Sequence, residues 1–458
     1  MKIRKDLILK YNQAGPRYTS YPPANYFHEG IAADDFKRAI SQSNHERPQN
    51  ISLYVHIPFC PRLCHFCGCT TSGSKDINVF RSYIDALKTE ISQVAQLLDP
   101  GRSVTQIHWG GGTPNSIPLD MVQEVMDLFR SHFKIEPHAE IAMECSPAYL
   151  EFEDIDRLAA MGFNRLSLGI QDFNDDVLKN VNREPSKHPV DQLANRMNEN
   201  GFKGLNLDLI YGLPGQTPEN FKKSIEKAIE VNPNRLATFS YAHVPWVKKA
   251  QSVLEEIGIP SAGEKLALME IAYGLLTENG YMSIGMDHYA KPDDDLYQAF
   301  LDKQLHRNFQ GYCTRATTGQ VYGFGCSSIS QLDSGYYQNK KTIKGYIESI
   351  GNTGWAVERG YQVNTDEKIT RTVINEVMCN LFVDFNEIGK LFGKDAAEVK
   401  EIVGYDVDKL ALFLADNLLG IKEEKIKINA DGSLVIRNIA MTFDPQLSVN
   451  QNQYSKTI

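Results

Sequence analysis

Four of the eight cysteines lie within ten residues, in the segment CPRLCHFCGC (60–69). The segment contains a proline and a glycine, so we expect a loop whose thiols can turn toward one point. A structural zinc site would need four ligands, with Cys69 or His65 completing the set, but zinc ligands usually come as two separated pairs. A C-x3-C-x2-C spacing instead suits three corners of a [4Fe-4S] cluster and leaves one iron free to bind a substrate. We favour the cluster, with the ligands Cys60, Cys64 and Cys67.

A run of glycines follows this loop in the sequence, in WGGGTP (109–114). Glycine has no Cβ, so its backbone can approach a ligand closely. A triple glycine alone is weak support for a site, because turns also use glycine. Here it ends an apolar run and follows a cysteine loop, which favours a binding role for the segment 109–114.

The elements that must position these residues form a regular succession. Six apolar runs are each separated from the next by a segment with helical spacing. Successive βα units predict a parallel sheet covered by helices, closed into a barrel or part of one. The six predicted strands are 51–57, 104–110, 140–145, 165–171, 204–213 and 235–244.

Polar residues end several of these apolar strands. In parallel α/β barrels, function collects at the carboxyl ends of the strands. A buried polar group is costly unless it is paired or bound to something. Capping and ion pairs can explain any single residue but explain the whole set poorly: His56, Gly110–Thr113, Glu144, Gln171, Asp208 and His243.

The chain divides into three predicted parts. Residues 1–50 form an arm with one short helix near 32–43, and residues 51–359 form the catalytic barrel and a following segment. Residues 360–458 form a small, mostly helical domain with a terminal hairpin. We place that hairpin at a turn in ADGS (430–433), followed by a strand in SLVIRNIAM (433–441).

The overall composition limits the possible functions. The net charge of −9 argues against binding to nucleic acid or to an anionic membrane, because such surfaces need excess Lys and Arg. No apolar run is long enough for a signal peptide or a membrane span. We therefore expect a cytoplasmic protein, in which the four scattered cysteines are small buried hydrophobic residues.

The cysteine spacing and the glycine run resemble those of the radical S-adenosylmethionine superfamily. More narrowly, the chain resembles the oxygen-independent coproporphyrinogen III oxidases (coproporphyrinogen dehydrogenases) over nearly its whole length. The arm and Cys69 distinguish it from relatives that only handle haem. The motifs that carry the resemblance are GPRYTSYP (15–22), YVHIPFCPRLCHFCGC (54–69), HWGGGTP (108–114), GFNRLSLGIQDFN (162–174), VNRE (181–184), DLIYGLPGQTPE (208–219), FSYAHVP (239–245), IGMDHYAKPDD (284–294) and HRNFQGY (306–312).

The resemblance implies a partial (β/α)6 radical-SAM barrel, a cluster on the three cysteines with Cys69 nearby but not a ligand, and two S-adenosylmethionine molecules. For Arg183, a surface ion pair with Glu184 or Asp176 is the alternative. The first S-adenosylmethionine would contact Tyr54, Gly111, Glu144 and Ile329. The second would contact Gly112, Thr113, Gln171, Arg183, Asp208 and Ala242.

The implied reaction is an oxidative decarboxylation in haem biosynthesis. A 5′-deoxyadenosyl radical takes a hydrogen from the β-carbon of a propionate, carbon dioxide leaves, and an external acceptor takes the remaining electron. Two such steps convert coproporphyrinogen III to protoporphyrinogen IX. We expect a monomer that receives electrons from a flavodoxin-type donor. Candidate cations for the substrate carboxylates are Arg17, Arg307 and Lys291.

Two departures from the family pattern concern local contacts. The third strand ends in MECSP, where the family more often has an aspartate at the position of Ser146, and one residue is inserted between Tyr312 and the segment 321–330. Two alternative functions share most of the motifs. One is a radical S-adenosylmethionine enzyme that methylates or opens the haem ring, and the other is a haem-binding chaperone.

Overall fold

The computed structural model describes residues 4–447 and 454, so the outermost residues of the predicted arm and C-terminal domain lie outside it. The fold is α/β, with one large sheet and three small ones. The strands are β1 (Ile51–Ile57), β2 (Phe59–Cys60), β3 (Ser72–Gly73), β4 (Ser103–Gly111), β5 (Lys134–Cys145), β6 (Arg165–Gln171), β7 (Gly204–Tyr211), β8 (Arg235–Ser240), β9 (Met282–Ile284), β10 (His288–Ala290), β11 (Leu305–Asn308), β12 (Gly311–Thr314), β13 (Gln320–Phe324), β14 (Ile329–Leu332), β15 (Gly335–Asn339), β16 (Val357–Gln362), β17 (Phe382–Asp384), β18 (Leu419–Lys422) and β19 (Lys425–Ile428).

Helices separate most of these strands, and short 3-10 and π turns lie between them. The helices are α1 (Lys5–Lys10), α2 (Ala33–Ser43), α3 (Ile77–Ala95), α4 (Leu119–His132), α5 (Phe152–Ala160), α6 (Asp175–Asn180), α7 (Val190–Glu199), α8 (Pro218–Val231), α9 (Val253–Ile257), α10 (Ala262–Glu278), α11 (Asp295–Leu301), α12 (Ile343–Thr353), α13 (Thr365–Asn375), α14 (Phe385–Phe392), α15 (Ala396–Ile402), α16 (Val407–Ala415), α17 (Ala430–Ser433) and α18 (Ile436–Met441).

The large sheet has the order β16-β15-β14-β13-β1-β4-β5-β6-β7-β8-β10-β9. Its centre, β1 and β4 to β8, is parallel and contains the six predicted strands. One further strand, β13, runs parallel to β1 and extends the parallel part. The order has two free ends within the described residues, so the barrel is open, as predicted.

The crossover helices form where apolar residues recur every three or four positions. Helix α3 buries Phe80, Ile84, Leu87 and Ile91 against the sheet. Burying one such side chain contributes ~1.5–3 kcal/mol. The packing of these faces fixes the strands, and with them the edge that carries the cysteine loop.

The C-terminal region has its own core, in which α13 to α18 pack with the small sheet β17-β19-β18. The arm residues Tyr18 and Tyr21 belong to that core. The boundaries at 50/51 and 359/360 stay a prediction. None of the helices within residues 4–447 has both the length and the apolar character needed to cross a membrane.

The predicted position of the terminal hairpin is wrong. The hairpin is β18–β19, and ADGS begins the short helix α17 after it. The Asn429 side chain accepts a hydrogen bond from the Gly432 amide and so caps this helix. The segment predicted as a strand contains α18, which is buried on all sides. A short apolar run buried all round carries no periodicity that separates helix from strand.

Candidate active site

The cysteine loop begins at the carboxyl end of β1 and is closed on itself by the pairing of β2 with β3. The Ser72 amide donates to the Pro58 carbonyl at 2.7 Å, which fixes the two ends of the loop together. The His65 amide donates to the Val181 carbonyl at 3.0 Å and ties the middle of the loop to the segment after α6. The loop is therefore held at the strand ends of the barrel, where the sequence predicted function.

A cavity of about 180 Å³ is lined by the three predicted ligands, Cys60, Cys64 and Cys67. The Thr113 hydroxyl donates to the Cys60 sulfur at 3.5 Å. A hydrogen bond with Cys69 lowers the pKa of the Cys67 thiol. Within the described residues, no three His, Cys, Asp or Glu side chains surround one point closely enough to hold a single metal ion. The three thiols line one cavity, where a cluster would take one thiol on each of three irons.

The three glycines at the end of β4 are required by contacts within the protein. A Cβ on Gly110 would lie 2.7 Å from the Glu144 carboxylate, and one on Gly111 would lie 2.7 Å from the His56 ring. At Gly112 it would lie 2.7 Å from the Phe59 carbonyl and 3.0 Å from the Cys60 sulfur. Gly111 and Gly112 do line the cavity, as predicted. Because they have no side chain, however, the cysteine loop can pack closely against the end of β4.

Glu144, at the end of β5, is held by a neighbour that the sequence did not reveal. The His108 Nε2 atom lies 3.0 Å from the Glu144 carboxylate. Burial lowers the pKa of His108, but the hydrogen bond and the charge of Glu144 outweigh it, so this pKa is raised. The Tyr54 ring stacks on His108 with the ring centroids 6.0 Å apart. Tyr54 therefore supports Glu144 through His108 and does not itself line the described cavity.

Asp208, on β7, faces the same cavity. It accepts hydrogen bonds from the Ser167 hydroxyl at 2.7 Å and from the Asn206 side-chain amide at 2.8 Å. Burial raises the pKa of Asp208, although these two hydrogen bonds oppose the rise. The carboxylate is oriented into the cavity and can accept hydrogen bonds from a hydroxyl or an ammonium group.

Gln171 and Arg183 lie together over Gly169. A Cβ on Gly169 would meet the Gln171 amide at 2.8 Å and the Arg183 guanidinium at 3.0 Å. Arg183 donates to the Gly169 carbonyl and lies 3.6 Å from the Cys64 sulfur. It is thus a residue of the cavity wall, and no ion pair of Arg183 with Glu184 or Asp176 is found in the part of the chain that the structure describes.

Ala242 and Ile329 lie outside the described cavity. The Gln251 side chain donates to the Ala242 carbonyl at 3.4 Å and to the Phe66 carbonyl at 2.9 Å, so Ala242 lies beside the cysteine loop. Ile329 packs its backbone against Gly323, which is paired with Tyr54.

Two of the candidate cations, Arg17 and Arg307, act on the same carboxylate, Asp287, and Lys291 lies elsewhere. Arg17 is exposed, and its charge helps to lower the pKa of Asp287. Lys291 donates to the Asn232 carbonyl at 3.0 Å, just before the amino end of β8, so it lies at the opposite end of the sheet from the cysteines. Arg307 is buried and lines another cavity.

A second space of about 290 Å³ continues into the barrel and shares Glu144, Ser167 and Asp208 with the first. Its floor carries buried ion pairs, Arg165 with Glu140 at 2.9 Å and Arg235 with Asp294 at 2.7 Å. Alternate positions of a strand face the same side. The sequence could have predicted this lining, because three apolar strands each contain two polar residues at alternate positions. The pairs are Gln106 and His108, Arg165 and Ser167, and Asn206 and Asp208.

The open barrel and the cysteine-lined cavity define a class of enzyme. Residues 54–228 match the radical SAM superfamily, and this segment contains the loop, the glycines, Glu144 and Asp208. The chain is 42% identical over 454 residues to the oxygen-independent coproporphyrinogen III oxidase of Salmonella typhimurium, covering 99% of this chain and 98% of that one. It is 39% identical over 462 residues to the Synechocystis protein of the same name, covering 100% and 98%.

A solved structure of similar fold, described as the coproporphyrinogen III oxidase HemN from Escherichia coli, a radical SAM enzyme, has a TM-score of 0.90. It is 40% identical and covers 98% of this chain and 100% of that one. The chain belongs to the oxygen-independent coproporphyrinogen III oxidase family.

Proposed function

We propose that this protein converts coproporphyrinogen III to protoporphyrinogen IX without oxygen, by oxidative decarboxylation of two propionates to vinyl groups through a 5′-deoxyadenosyl radical. One observation carries the proposal. Three thiols, Glu144 and Asp208 line one cavity in a chain that matches curated enzymes of this name over 99% of its length.

As a radical SAM enzyme, the protein uses a [4Fe-4S] cluster and S-adenosylmethionine. We propose Cys60, Cys64 and Cys67 as the cluster ligands, because they are the three loop thiols that the family spacing selects and they line one cavity. The bound cluster supplies the electron that cleaves the sulfonium. Thr113 and Arg183 contribute hydrogen-bond donors beside two of the sulfurs.

Two S-adenosylmethionine molecules are proposed, in contact with the two residue sets given above. Support comes from two separately held carboxylates: Glu144 is oriented by His108, and Asp208 by Ser167 and Asn206. The adjoining space inside the barrel adds room beside both. The protein's own task is to orient these ligands and exclude water from them.

Chemical tests separate the proposed reaction from its alternatives. The protein is reconstituted anaerobically with iron and sulfide, then reduced in the presence of S-adenosylmethionine and coproporphyrinogen III. We expect protoporphyrinogen IX and 5′-deoxyadenosine. No protoporphyrinogen IX in this assay, together with ring-methylated or ring-opened product when haem replaces coproporphyrinogen III, would contradict the decarboxylase function.

Cysteine variants test the ligand assignment in the same assay. Cys60→Ala, Cys64→Ala or Cys67→Ala should each lose all 5′-deoxyadenosine, because a cluster held at two corners is not retained. Cys69→Ala is the matched control and should keep the cluster absorbance. Wild-type-like 5′-deoxyadenosine from Cys64→Ala would refute the assignment.

The proposed electron donor is an acidic flavodoxin-type protein that docks beside the cysteine loop. Trp246 is 68% exposed and Val247 is 66% exposed. The neighbouring Lys248 donates to the Cys69 carbonyl at 2.7 Å, so this segment lies against the loop, and Lys249 is exposed. An exposed aromatic residue next to basic side chains is a common centre of a protein interface.

Trp246→Ala should therefore raise the half-saturating concentration of a flavodoxin donor by about tenfold or more, since interface tryptophans often carry ≥ ~2 kcal/mol. With dithionite as reductant the rate should not change, because no docking is needed. Leu412→Ala, at another exposed position, is the control. Equal losses with both reductants would contradict the proposed docking.

We also propose that the protein acts as a monomer. Sedimentation of the reconstituted protein tests this. A cytoplasmic location stays a prediction from the sequence.

A further inference from the structure

A cavity of about 340 Å³ lies beneath the N-terminal arm. We call it the arm cavity; its wall includes residues 18–21 of the arm, Arg307, Gln331 and Asn375. None of its lining residues lines either active-site space. It reaches Gln320, which pairs with Ile51, the first residue of β1. The cysteine loop follows the last residue of β1, so the two lie toward opposite ends of this strand.

Arg307 contributes a buried cation to this wall. Its exposed fraction is 7%, and neither its Nε nor its Nη1 atom has a hydrogen-bond partner in the described part of the chain. Its face packs on the Tyr312 ring, 4.7 Å from the centroid. Asp287, a nearby carboxylate, is bonded to His288 at 2.7 Å. A buried guanidinium with unfilled donors costs several kcal/mol unless an anion reaches it.

The other charged groups of the wall are compensated. Arg315 pairs with Glu376, and Arg371 pairs with Asp333 at 2.9 Å. Burial and these two arginines lower the pKa of His306 to about 3, so this ring is neutral at pH 7. Among the described residues, Arg307 is therefore the cation of this wall without an ion-pair partner within 4 Å, although Tyr312 and the charge of Asp287 stabilise it.

The same wall holds buried acceptors without donors. The Gln331 Oε1 atom and the Asn375 Oδ1 atom each lack a hydrogen-bond partner among the described residues. Much of the remaining lining is apolar or aromatic, including Tyr21, Ile374 and Met378. A mostly apolar cavity with a few unfilled donors and acceptors is the usual form of a small-molecule site.

We propose that the arm cavity binds a small organic carboxylate that also carries an O–H or N–H donor. The carboxylate accepts hydrogen bonds from Arg307, and the side-chain oxygen of Gln331 accepts a hydrogen bond from the O–H or N–H donor. The volume is at the lower end of the ~300–1,000 Å³ typical of ligand sites, so the ligand is a compact molecule. This is a second site, beyond the proposed function.

Three matched probes test the two parts of this recognition on the anaerobically reconstituted holoenzyme by calorimetry. 3-(4-Hydroxyphenyl)propionate has both groups, 3-phenylpropionate lacks the donor, and 4-ethylphenol lacks the carboxylate. The first should bind most tightly. 4-Ethylphenol should bind about tenfold or more weakly, because it forgoes charge-assisted hydrogen bonds. Saturating S-adenosylmethionine should displace none of them.

Two variants assign the contacts. Arg307→Gln should reduce the affinity for 3-(4-hydroxyphenyl)propionate to that for 4-ethylphenol. Gln331→Leu should reduce it to that for 3-phenylpropionate and leave the preference for a carboxylate intact. Arg38→Gln, on the exposed face of α2, is the control and should change nothing.

If Arg307→Gln does not fold, Gln331→Leu still tests whether the arm cavity binds the probes. This variant should fold, because it removes an acceptor that has no hydrogen-bond partner among the described residues. The proposal is overturned if no probe binds saturably to the wild type, if Gln331→Leu leaves all three affinities unchanged, or if S-adenosylmethionine displaces the probes.

Discussion

Glu90, on α3, is a buried carboxylate that joins α3 to α12 and to the residue after β13. It is 2% exposed and accepts hydrogen bonds from the Tyr346 hydroxyl at 2.6 Å and the Gly325 amide at 2.8 Å. Tyr83 lies beside this group and donates to the His56 carbonyl at 2.7 Å. Burial raises the pKa of Glu90 to about 7, against the effect of its hydrogen bonds.

This raised pKa predicts a pH dependence of stability. Folded Glu90 holds its proton up to about pH 7, whereas unfolded Glu90 releases it near pH 4.5, so the folded state binds more protons between these values. The free energy of unfolding should therefore fall as the pH rises from about 4.5 to 7. The loss is on the order of 3 kcal/mol at most, at ~1.4 kcal/mol per pKa unit.

Urea unfolding of the wild type and of Glu90→Gln at pH 5 and pH 8 isolates this contribution. The wild type should lose stability relative to Glu90→Gln at the higher pH. Glu219→Gln, at an exposed position, should follow the wild type. A constant difference between Glu90→Gln and the wild type at both pH values would contradict the prediction.

Residue types and spacing alone selected the cysteines, the glycine run, Glu144 and Asp208, because these stand at motif positions or strand ends. His108 and Ser167 were missed. Their roles depend on which residues of neighbouring strands lie side by side, and that register is set by packing across the sheet. The hydrogen bond between Glu90 and the Gly325 amide joins residues 235 positions apart, so no local sequence pattern predicts it.

At the scale of elements, β6 ends in a strained turn. Gln171 has a φ of +69°, a left-handed conformation that is uncommon for residues other than glycine. The pairing with β7 passes from Gly169 directly to Gln171, so Ile170 is the extra residue of a bulge. The bulge helps to turn the Gln171 side chain over Gly169 and into the active-site wall.

Backbone strain and ligand contact can be separated at this position. Gln171→Gly relieves the left-handed strain, and Gln171→Ala keeps it, so the glycine variant should be more stable by up to ~1 kcal/mol. Both variants should lose the same affinity for S-adenosylmethionine, measured by equilibrium dialysis. At Gln123, inside α4, the order should reverse, because glycine destabilises a helix by ~1 kcal/mol. An alanine variant at 171 more stable than the glycine variant would contradict this account.

The elements that the sequence predicted best are the regular ones. The six parallel strands and the helix near 32–43 were found because their apolar residues recur with a clear period. The parallel pairing of β13 with β1 was not predicted, since it joins residues about 270 positions apart. The terminal hairpin was predicted at the wrong position, because a buried helix and a buried strand have similar sequences over a few residues.

At the scale of the whole molecule, the arm is fastened to the C-terminal region. The Tyr18 and Tyr21 hydroxyls donate to the Asp444 carboxylate at 2.9 and 3.2 Å. Arg437 donates to the Gly15 and Pro16 carbonyls. The arm thereby closes one side of the arm cavity.

Asp444→Ala should loosen the arm without affecting the cluster. Two hydrogen bonds to a charged acceptor are lost, so amides of residues 15–22 should exchange with deuterium about tenfold faster or more. Iron content after reconstitution should not change. Asp34→Ala, on the exposed face of α2, is the control. Unchanged exchange in Asp444→Ala would show that the other contacts of the arm, such as those from Arg437, are sufficient to hold it.

This fastening sets an order of events during synthesis on the ribosome. Residues 15–21 emerge early, but the carboxylate that receives their hydroxyls is translated roughly 420 residues later, about 20 to 90 s at ~5–20 residues per second. The strands of the barrel can pair in the meantime, while the nascent arm waits without its partner. A prematurely terminated product would therefore carry a formed barrel with an undocked, aromatic leading segment, which is a natural target for chaperones and proteases.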